Sequence, residues 1–372
     1  MKSDARIVAV TGAAGFIGRN LVQRLEEEGF AVHPITRETG TAEMARLIGG
    51  SDVLFHLAGA NRPESADEFT RSNREYTRVV ADAVEQSPKR PLVIHSSTAK
   101  VGQPGDYAKS KEEGESILLG LAGAEAAIVA VFRLPNVFGK WARPNYNSAV
   151  ATFCHNLARG LPIRIDDANA PLSLLYIDDL IDQWLALLAT PPQESGFVEP
   201  SHVHKTTVGA VAAQIAEIAE GRKSGRVGAV GSGFDRALYA TFVSYLPSED
   251  FSYPLEQHAD ARGTFAEVLK TKSSGQLSFL TAFPGVTRGG HYHHSKVEKF
   301  VVVHGRARFR FRNLLSGEQC EVETGAERPV AVETIPGWTH DITNTGDDLL
   351  VALVWANEPF DPRRPDTIAM AL

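Results

Sequence analysis

The chain has 372 residues, 43% of them hydrophobic and 22% charged, a balance that suits two soluble globular domains and excludes long disorder. Its formal net charge of -7 lacks the basic surplus of a general nucleic-acid binder, so no nucleic-acid partner is expected. Two cysteines, Cys154 and Cys320, form neither a metal-type spacing nor a disulfide framework, and no apolar run reaches the ~18–20 residues that span a bilayer.

The first predicted strand is residues 6–11, RIVAVT, with no basic-then-apolar leader ahead of it. A cytoplasmic location without membrane insertion is therefore expected. Gly12-Ala-Ala-Gly15-Phe16-Ile17-Gly18 follows and opens a helix. Further strands are expected at 31–36, 52–59, 91–97 and 127–135, alternating with helices at 64–86, 107–122 and 148–160. That order builds an α/β Rossmann-type doubly wound parallel sheet, covered on both faces. In the glycine run, Gly12 suits a tight turn, Gly15 close approach to a pyrophosphate and Gly18 close helix packing, with the helix N-terminus facing phosphate. The glycines alone also fit an ordinary strand-to-helix turn. The second strand ends in Thr36-Arg37, where an acid would grip the ribose hydroxyl of NAD. Arg37 instead favours the 2′-phosphate of NADPH, unless it is simply a solvated arginine.

Tyr107-Ala-Lys-Ser-Lys111 places a phenol and an ammonium one helical turn apart. The lysine charge lowers the phenol pKa, and such a phenol exchanges a proton with a carbonyl oxygen. Ser97, at the end of the preceding strand, is in position to share that hydrogen bond. Farther on, Trp141, Arg143, Asn145, Tyr146 and Asn147 either hold a head group or cap the next helix. The Gly-, Pro-, Ser- and Lys-rich stretch 191–234 reads as periphery and linker.

From about residue 239 the texture changes to short β-rich segments at 264–270, 275–283, 298–305, 307–313, 318–324, 331–336 and 349–357, the pattern of a sandwich or barrel. Arg308, Arg310 and Arg312 alternate along one of them and read as a solvated face. His291, His293 and Glu298 lie close in sequence, and His340 follows Pro336-Gly337-Trp-Thr. On a strand, His291 and His293 share a side. Imidazoles with a carboxylate suit Zn, Fe, Ni or Mn; the alternative is a surface histidine cluster.

TGAAGFIG, HLAG (56–59), HSST (95–98), YAKSK and RLPNVFG (133–139) resemble the extended short-chain dehydrogenase/reductase family, whose members reduce or epimerise nucleotide sugars. The resemblance implies that Ser97 is the catalytic serine, with Thr98 a stand-in, that Tyr107 is the acid, and that Lys111 also holds the nicotinamide ribose. It implies a cofactor pocket of Gly12, Gly15, Phe16, Ile17, Gly18, Arg37, Leu57, Ala58, Gly59 and Pro135. Asn73, Asn136 and Asn147 are then expected beside substrate. Tyr176-Ile-Asp-Asp179 resembles a family motif of structural role.

H-x-H, four residues, Glu, six residues, Gly305, then a later P-G-x-x-H resembles the cupin metal motif, with its last turn shortened by one residue. This implies an all-β cupin barrel in which His291, His293, Glu298 and His340 hold a divalent metal, zinc foremost. Asp260-Ala-Arg262-Gly263-Thr-Phe265-Ala-Glu267 resembles a motif of cupin-type deoxysugar epimerases, where the arginine pairs with nucleotide phosphates. In those relatives His291 would be a catalytic base instead of a ligand. Lys299 would stabilise an enolate, or else be a solvated strand lysine.

Blocks at 138–154, 244–255, 291–303 and 360–367 extend the likeness over nearly the whole chain, to bifunctional capsular-polysaccharide enzymes in which a reductase domain (1–242) precedes a cupin domain (243–372). Such an enzyme is expected to be a homodimer acting on a UDP-linked keto-deoxy amino sugar. The cupin would epimerise carbon 3 of a UDP-4-keto-6-deoxy-N-acetylhexosamine. The reductase would reduce carbon 4 with NADPH, giving UDP-2-acetamido-2,6-dideoxy-L-talose on the way to UDP-N-acetyl-L-fucosamine. Two alternatives stand beside it. One is a ketoreductase with a structural, dimerising cupin. The other is a non-catalytic NADPH sensor, which the intact Tyr107 and Lys111 weigh against.

Overall fold

A computed structural model describes residues 6–61, 66–224, 226–254, 257–260, 263–266, 270–271, 275–358 and 363–372; Arg262, expected at the substrate, lies outside them. Contacts divide the chain into two units: Met1–Val137 with Leu172–Lys205, and Phe138–Pro171 with Thr206–Leu372.

In the first unit, the β-branched runs form β1 (Ile7–Thr11), β2 (Ala31–Ile35), β3 (Val53–His56), β4 (Leu92–Thr98) and β5 (Ile128–Leu134), with a short sixth strand, β6 (Gly196–Phe197). They pair in parallel in the order β2-β1-β3-β4-β5-β6. The connecting helices are α1 (Phe16–Glu27), α2 (Thr41–Gly49), α3 (Ala66–Phe69), α4 (Tyr76–Glu85) and α5 (Asp106–Gly123). The strand order reverses direction at β1, so the crevice beyond the carboxyl ends of β1 and β3 is the switch point where ligands bind in open α/β sheets. One sheet face buries Ala9, Leu54, Val93 and Val129 against Ile48, Val84 and Leu118 of α2, α4 and α5. On the chain's other core, Trp184, fully buried, packs 5.3 Å from Phe55 and 5.9 Å from Phe132. Trp184 belongs to α7 (Ile177–Ala189), which starts at the Tyr176-Ile-Asp-Asp179 motif; Asp178 and Asp179 sit in its first turn, favoured there by the helix dipole.

The second unit begins with α6 (Ala149–Leu157), capped by the Ser148 hydroxyl, which accepts from the Ala151 N–H at 3.2 Å. It continues with α8 (Val208–Ser224) and α9 (Gly233–Val243). The stretch read as linker thus contains a helix of 17 residues. Its interior, AVAAQIAEIAE, is made of strong helix formers, which outweigh the Gly and Lys residues near its ends. Two antiparallel five-stranded sheets then make the all-β part. One runs β7-β13-β10-β15-β8, from β7 (Ser252–Pro254), β8 (Gln276–Ala282), β10 (Glu298–His304), β13 (Val330–Glu333) and β15 (Leu350–Ala356). The other runs β12-β11-β14-β9-β16, from β9 (Thr287–Tyr292), β11 (Arg306–Asn313), β12 (Gln319–Gly325), β14 (Trp338–Asn344) and β16 (Ile368–Ala369). Phe309 and Phe311 are buried, whereas Arg308, Arg310 and Arg312 are less so, as the alternation along β11 requires. The architecture is the expected α/β doubly wound sheet followed by a cupin-like barrel.

Candidate functional sites in the two units

In the first unit the glycine run behaves as its spacing requires. Gly12 has φ +68, and a Cβ there would lie 2.9 Å from the Ala58 nitrogen. A Cβ on Gly18 would meet the Gly12 oxygen at 2.2 Å, so the first turn of α1 packs on the loop only with glycine present. No side chain caps α1, which leaves the N–H groups at Phe16–Gly18 facing the switch-point crevice. Leu57 and Ala58 donate their N–H groups to the Thr11 hydroxyl at 3.2 and 3.3 Å. Thr11 in turn meets His56 Nδ1 at 2.8 Å, and His56 Nε2 meets Thr77 Oγ1 at 2.9 Å. With Thr77 donating to the Asn73 carbonyl at 2.7 Å, His56 is consistently a neutral Nε2–H ring. Burial, then the Lys111 charge, push it down to about 3. This chain pins the loops after β1 and β3 together, which the glycine pattern does not announce. Arg37 is exposed just after β2.

Tyr107 and Lys111 share a face of α5, near the carboxyl end of β4. Lys111 is buried and donates to the Ser96 carbonyl at 2.8 Å. Burial lowers it to about 8, against a raising pull from Glu115. The Tyr107 phenol lies above its ordinary value because burial outweighs a lowering hydrogen bond from Thr98. The expected lowering of the phenol by lysine is therefore corrected: desolvation is the larger effect here. Ser97 is corrected too. Its side chain shares the parity of Val93, toward the helix-covered face, and it donates to the buried Glu115 carboxylate. Arg133 grips the same carboxylate at 2.6 Å. Thr98, one residue on, is the hydroxyl that meets Tyr107.

The asparagines divide. Asn73 is buried and fully engaged: its Oδ1 accepts from the Ala60 N–H at 2.8 Å, and its Nδ2 donates to the Ala60 carbonyl and the Ser110 hydroxyl, each at 3.0 Å. It braces the loop after β3 against α5. Asn136 is exposed and donates to the Ser173 carbonyl at 3.3 Å, next to half-buried Pro135. In the second unit, Asn147 is exposed in a turn, Arg143 stacks on Tyr146 at 5.2 Å, and the Trp141 indole packs on Gly337, where a Cβ would come within 2.8 Å.

The histidine cluster is brought together. His340 sits on β14 opposite His291 of β9, across a bulge between Gly289 and His291 that re-aims the strand end. The β9 strand stops at Tyr292, so His293 reaches in from the following loop, where strand parity was expected to carry it. Glu298 is the first residue of β10. One ligand atom from each of the four lies within 4.8 Å of the others. His293 Nε2 is 3.2 Å from Glu298 Oε2, and His340 Nε2 is 3.8 Å from the same oxygen, too far for a hydrogen bond. His340 Nε2 is buried with no hydrogen-bond partner. An orphaned imidazole nitrogen aimed at a carboxylate and two more imidazoles is a donor set that fits a divalent cation. Burial and then the neighbouring His340 and His293 push His291 down to about 4, which keeps it neutral. The shortened Pro336-Gly337 turn, with Gly337 at φ +80, keeps His340 in place.

Lys299 does not join this cluster. It follows Glu298 on β10, so alternation sends it to the opposite face of the sheet. There it pairs with Glu333 of β13 at 2.9 Å and donates to the Tyr253 hydroxyl at 2.8 Å. Arg222 of α8 adds a second cation to Glu333 at 2.6 Å. The enolate-stabilising role expected for Lys299 is thereby corrected: its ammonium is committed to a buried ion network. Among the described helices none is long and apolar enough to cross a membrane.

Comparison with known proteins agrees with both halves. Residues 8–197 match the NAD dependent epimerase/dehydratase family, and residues 258–368 match the polysaccharide biosynthesis C-terminal domain. A Pseudomonas aeruginosa protein named UDP-2-acetamido-2,6-beta-L-arabino-hexul-4-ose reductase is 48% identical over 366 residues, covering 98% of each chain. The crystal structure of the capsular polysaccharide assembling protein CapF from Staphylococcus aureus superposes with a TM-score of 0.67 at 38% identity, covering 98% of this chain and 100% of that one. A UDP-glucuronic acid 4-epimerase from Bacillus cereus, in complex with NAD, is 20% identical with a TM-score of 0.52 over 57% of this chain and 84% of its own, a likeness of fold alone. The chain belongs to the NAD dependent epimerase/dehydratase family, in the form that continues into a polysaccharide biosynthesis C-terminal domain.

Proposed function

We propose that the chain is a bifunctional nucleotide-sugar enzyme of capsular polysaccharide biosynthesis. In this reading the cupin domain (243–372) epimerises carbon 3 of a UDP-4-keto-6-deoxy-N-acetylhexosamine. The reductase domain (1–242) reduces the carbon 4 ketone, giving UDP-2-acetamido-2,6-dideoxy-L-talose toward UDP-N-acetyl-L-fucosamine. The observation that carries it is the joint presence of a Tyr107–Lys111 pair and a His291, His293, Glu298 and His340 cluster in one chain whose full-length relative is named UDP-2-acetamido-2,6-beta-L-arabino-hexul-4-ose reductase.

The Gly12–Gly18 and Leu57–Gly59 loops and Arg37 would hold NADPH, which would supply the hydride when bound. Tyr107, raised in pKa and so protonated at neutral pH, gives its proton to the ketone oxygen. Thr98 orients that phenol, and Lys111 holds the ribose and lends positive charge. Pro135 would lie beside the nicotinamide and Asn136 beside the substrate, while Asn73 acts as a brace. In the cupin, His291, His293, Glu298 and His340 hold a divalent cation, zinc foremost, whose charge would favour loss of the proton at the carbon next to a ketone. His291 is thus a ligand in this reading.

The relative's name mentions reduction alone, and this favours a second reading, a ketoreductase with a structural, dimerising cupin. Isotope exchange separates the two. In heavy water, the first reading expects deuterium at carbon 3 in wild type and in Tyr107→Phe, but not in His291→Ala. Absence of exchange in wild type while NADPH is still consumed would establish the second.

A further inference from the structure

No role in either pocket follows from the sequence of residues 363–372, yet they are wired into the histidine cluster. β16 pairs antiparallel with β9, setting Ala369 opposite His291 and Ile368 opposite Tyr292. The Met370 N–H donates to the Gly290 carbonyl at 2.8 Å, and the Thr339 hydroxyl donates to the Met370 carbonyl at 2.6 Å. The segment is therefore a strand added to the edge that carries one ligand and anchored to the strand that carries another.

Asp366 makes the closest connection. Its Oδ1 accepts from the His294 N–H at 2.8 Å. Its Oδ2 accepts from the Ser295 N–H at 2.9 Å, the Ser295 hydroxyl at 3.1 Å and the Lys296 N–H at 2.7 Å. Three successive backbone N–H groups closing on one anion form a nest. These three residues bridge His293 and Glu298, so the nest sets the separation of two ligands. The main chain of Asp366 does something further: its carbonyl accepts from His293 Nδ1 at 2.5 Å. A carbonyl only accepts, so Nδ1 carries the proton and Nε2 turns its lone pair toward Glu298 and His340. Asp366 holds φ at +38, a left-handed backbone conformation that aspartate tolerates better than most residues.

We propose that Asp366 is a positioning residue of the metal centre: its carboxylate folds the His293–Glu298 loop and its carbonyl fixes the His293 tautomer. The inference rests on the proposed metal role of the cluster. Outer hydrogen bonds of this kind typically govern metal affinity by ~10–100-fold.

The test uses the full chain, stripped with chelator and titrated with Zn²⁺ against a chromophoric competitor, and with Co²⁺ followed by its visible d–d absorption. Asp366→Asn is expected to weaken Zn²⁺ binding ~10–100-fold and to alter the cobalt spectrum. Lys296→Met releases the tail contacts to the Pro365 carbonyl and the Thr367 hydroxyl but spares the His293 bond, and is expected to keep the wild-type spectrum. If Asp366→Asn does not fold, nitrogen-15 NMR of histidine side chains in the zinc-loaded wild type decides, with the His293 proton expected on Nδ1. Wild-type affinity and spectrum in Asp366→Asn, or a His293 proton on Nε2, would overturn the proposal. A wild type that binds neither metal would overturn the metal reading itself, and this inference with it.

Discussion

A single step along β4 separates two hydroxyls with different tasks. Ser97 and Thr98 both lie beside the YAKSK helix in sequence, and motif likeness singled out the first. The pleat sends Ser97 to Glu115 and Arg133, and leaves Thr98 at the Tyr107 phenol. Thr98→Val is expected to lower kcat for the proposed ketone reduction about tenfold, the worth of one hydrogen bond, whereas Tyr107→Phe is expected to lower it ~10²–10⁴-fold. Ser97→Ala is expected to spare kcat and to lower the thermal midpoint instead, because it leaves a buried carboxylate short of a donor. Lys111 gives a pH signature. Its pKa is lowered to about 8, so it is charged below that value and loses its charge as pH rises through it. The kcat/KM profile should fall above about pH 8, and a flat profile to pH 10 would remove Lys111 from its supporting role.

At the scale of elements, the sheet face behind the cluster is joined to α8 and α9 by charge. Glu333 is fully buried between Lys299 and Arg222, and Tyr239 of α9 packs edge-on at 6.4 Å to Trp355 on the same face. Burial alone would raise the Glu333 pKa, but the two cations outweigh it, so it lies below its ordinary 4.5. A carboxylate with a depressed folded pKa contributes stability above its unfolded pKa and loses it as pH falls through the folded value. Glu333→Gln leaves two buried cations short of their partner and should cost about 3–5 kcal/mol in urea unfolding followed by tryptophan fluorescence. That difference from wild type should shrink on acidification below about pH 4.5. Sequence periodicity found most of these strands because apolar alternation is local. It missed α8, whose glycines obscured an alanine-rich interior, and it missed that β9 ends before His293.

For the molecule as a whole, one surface stands out. Beyond the part covered by α8 and α9, the edge strand β8 and the residues just after it leave Leu277, Phe279 and Phe283 at 61%, 68% and 73% exposure. Exposed apolar side chains grouped in this way are where the contact of the proposed homodimer is expected. Phe279→Asp should shift sedimentation toward monomer without loss of NADPH binding; an unchanged sedimentation coefficient would place the dimer contact elsewhere. Composition, strand–helix alternation and the change of texture near residue 239 marked an α/β part followed by a β part, because backbone sterics act over a few neighbouring positions, whereas the cupin form and most candidate residues were legible through motif resemblance. Which way Ser97, Thr98 and Lys299 point, how Asn73 spends its amide and how Asp366 reaches His293 were decided only by the tertiary structure. Those outcomes depend on strand parity and on partners tens of residues away, whose positions no local pattern encodes.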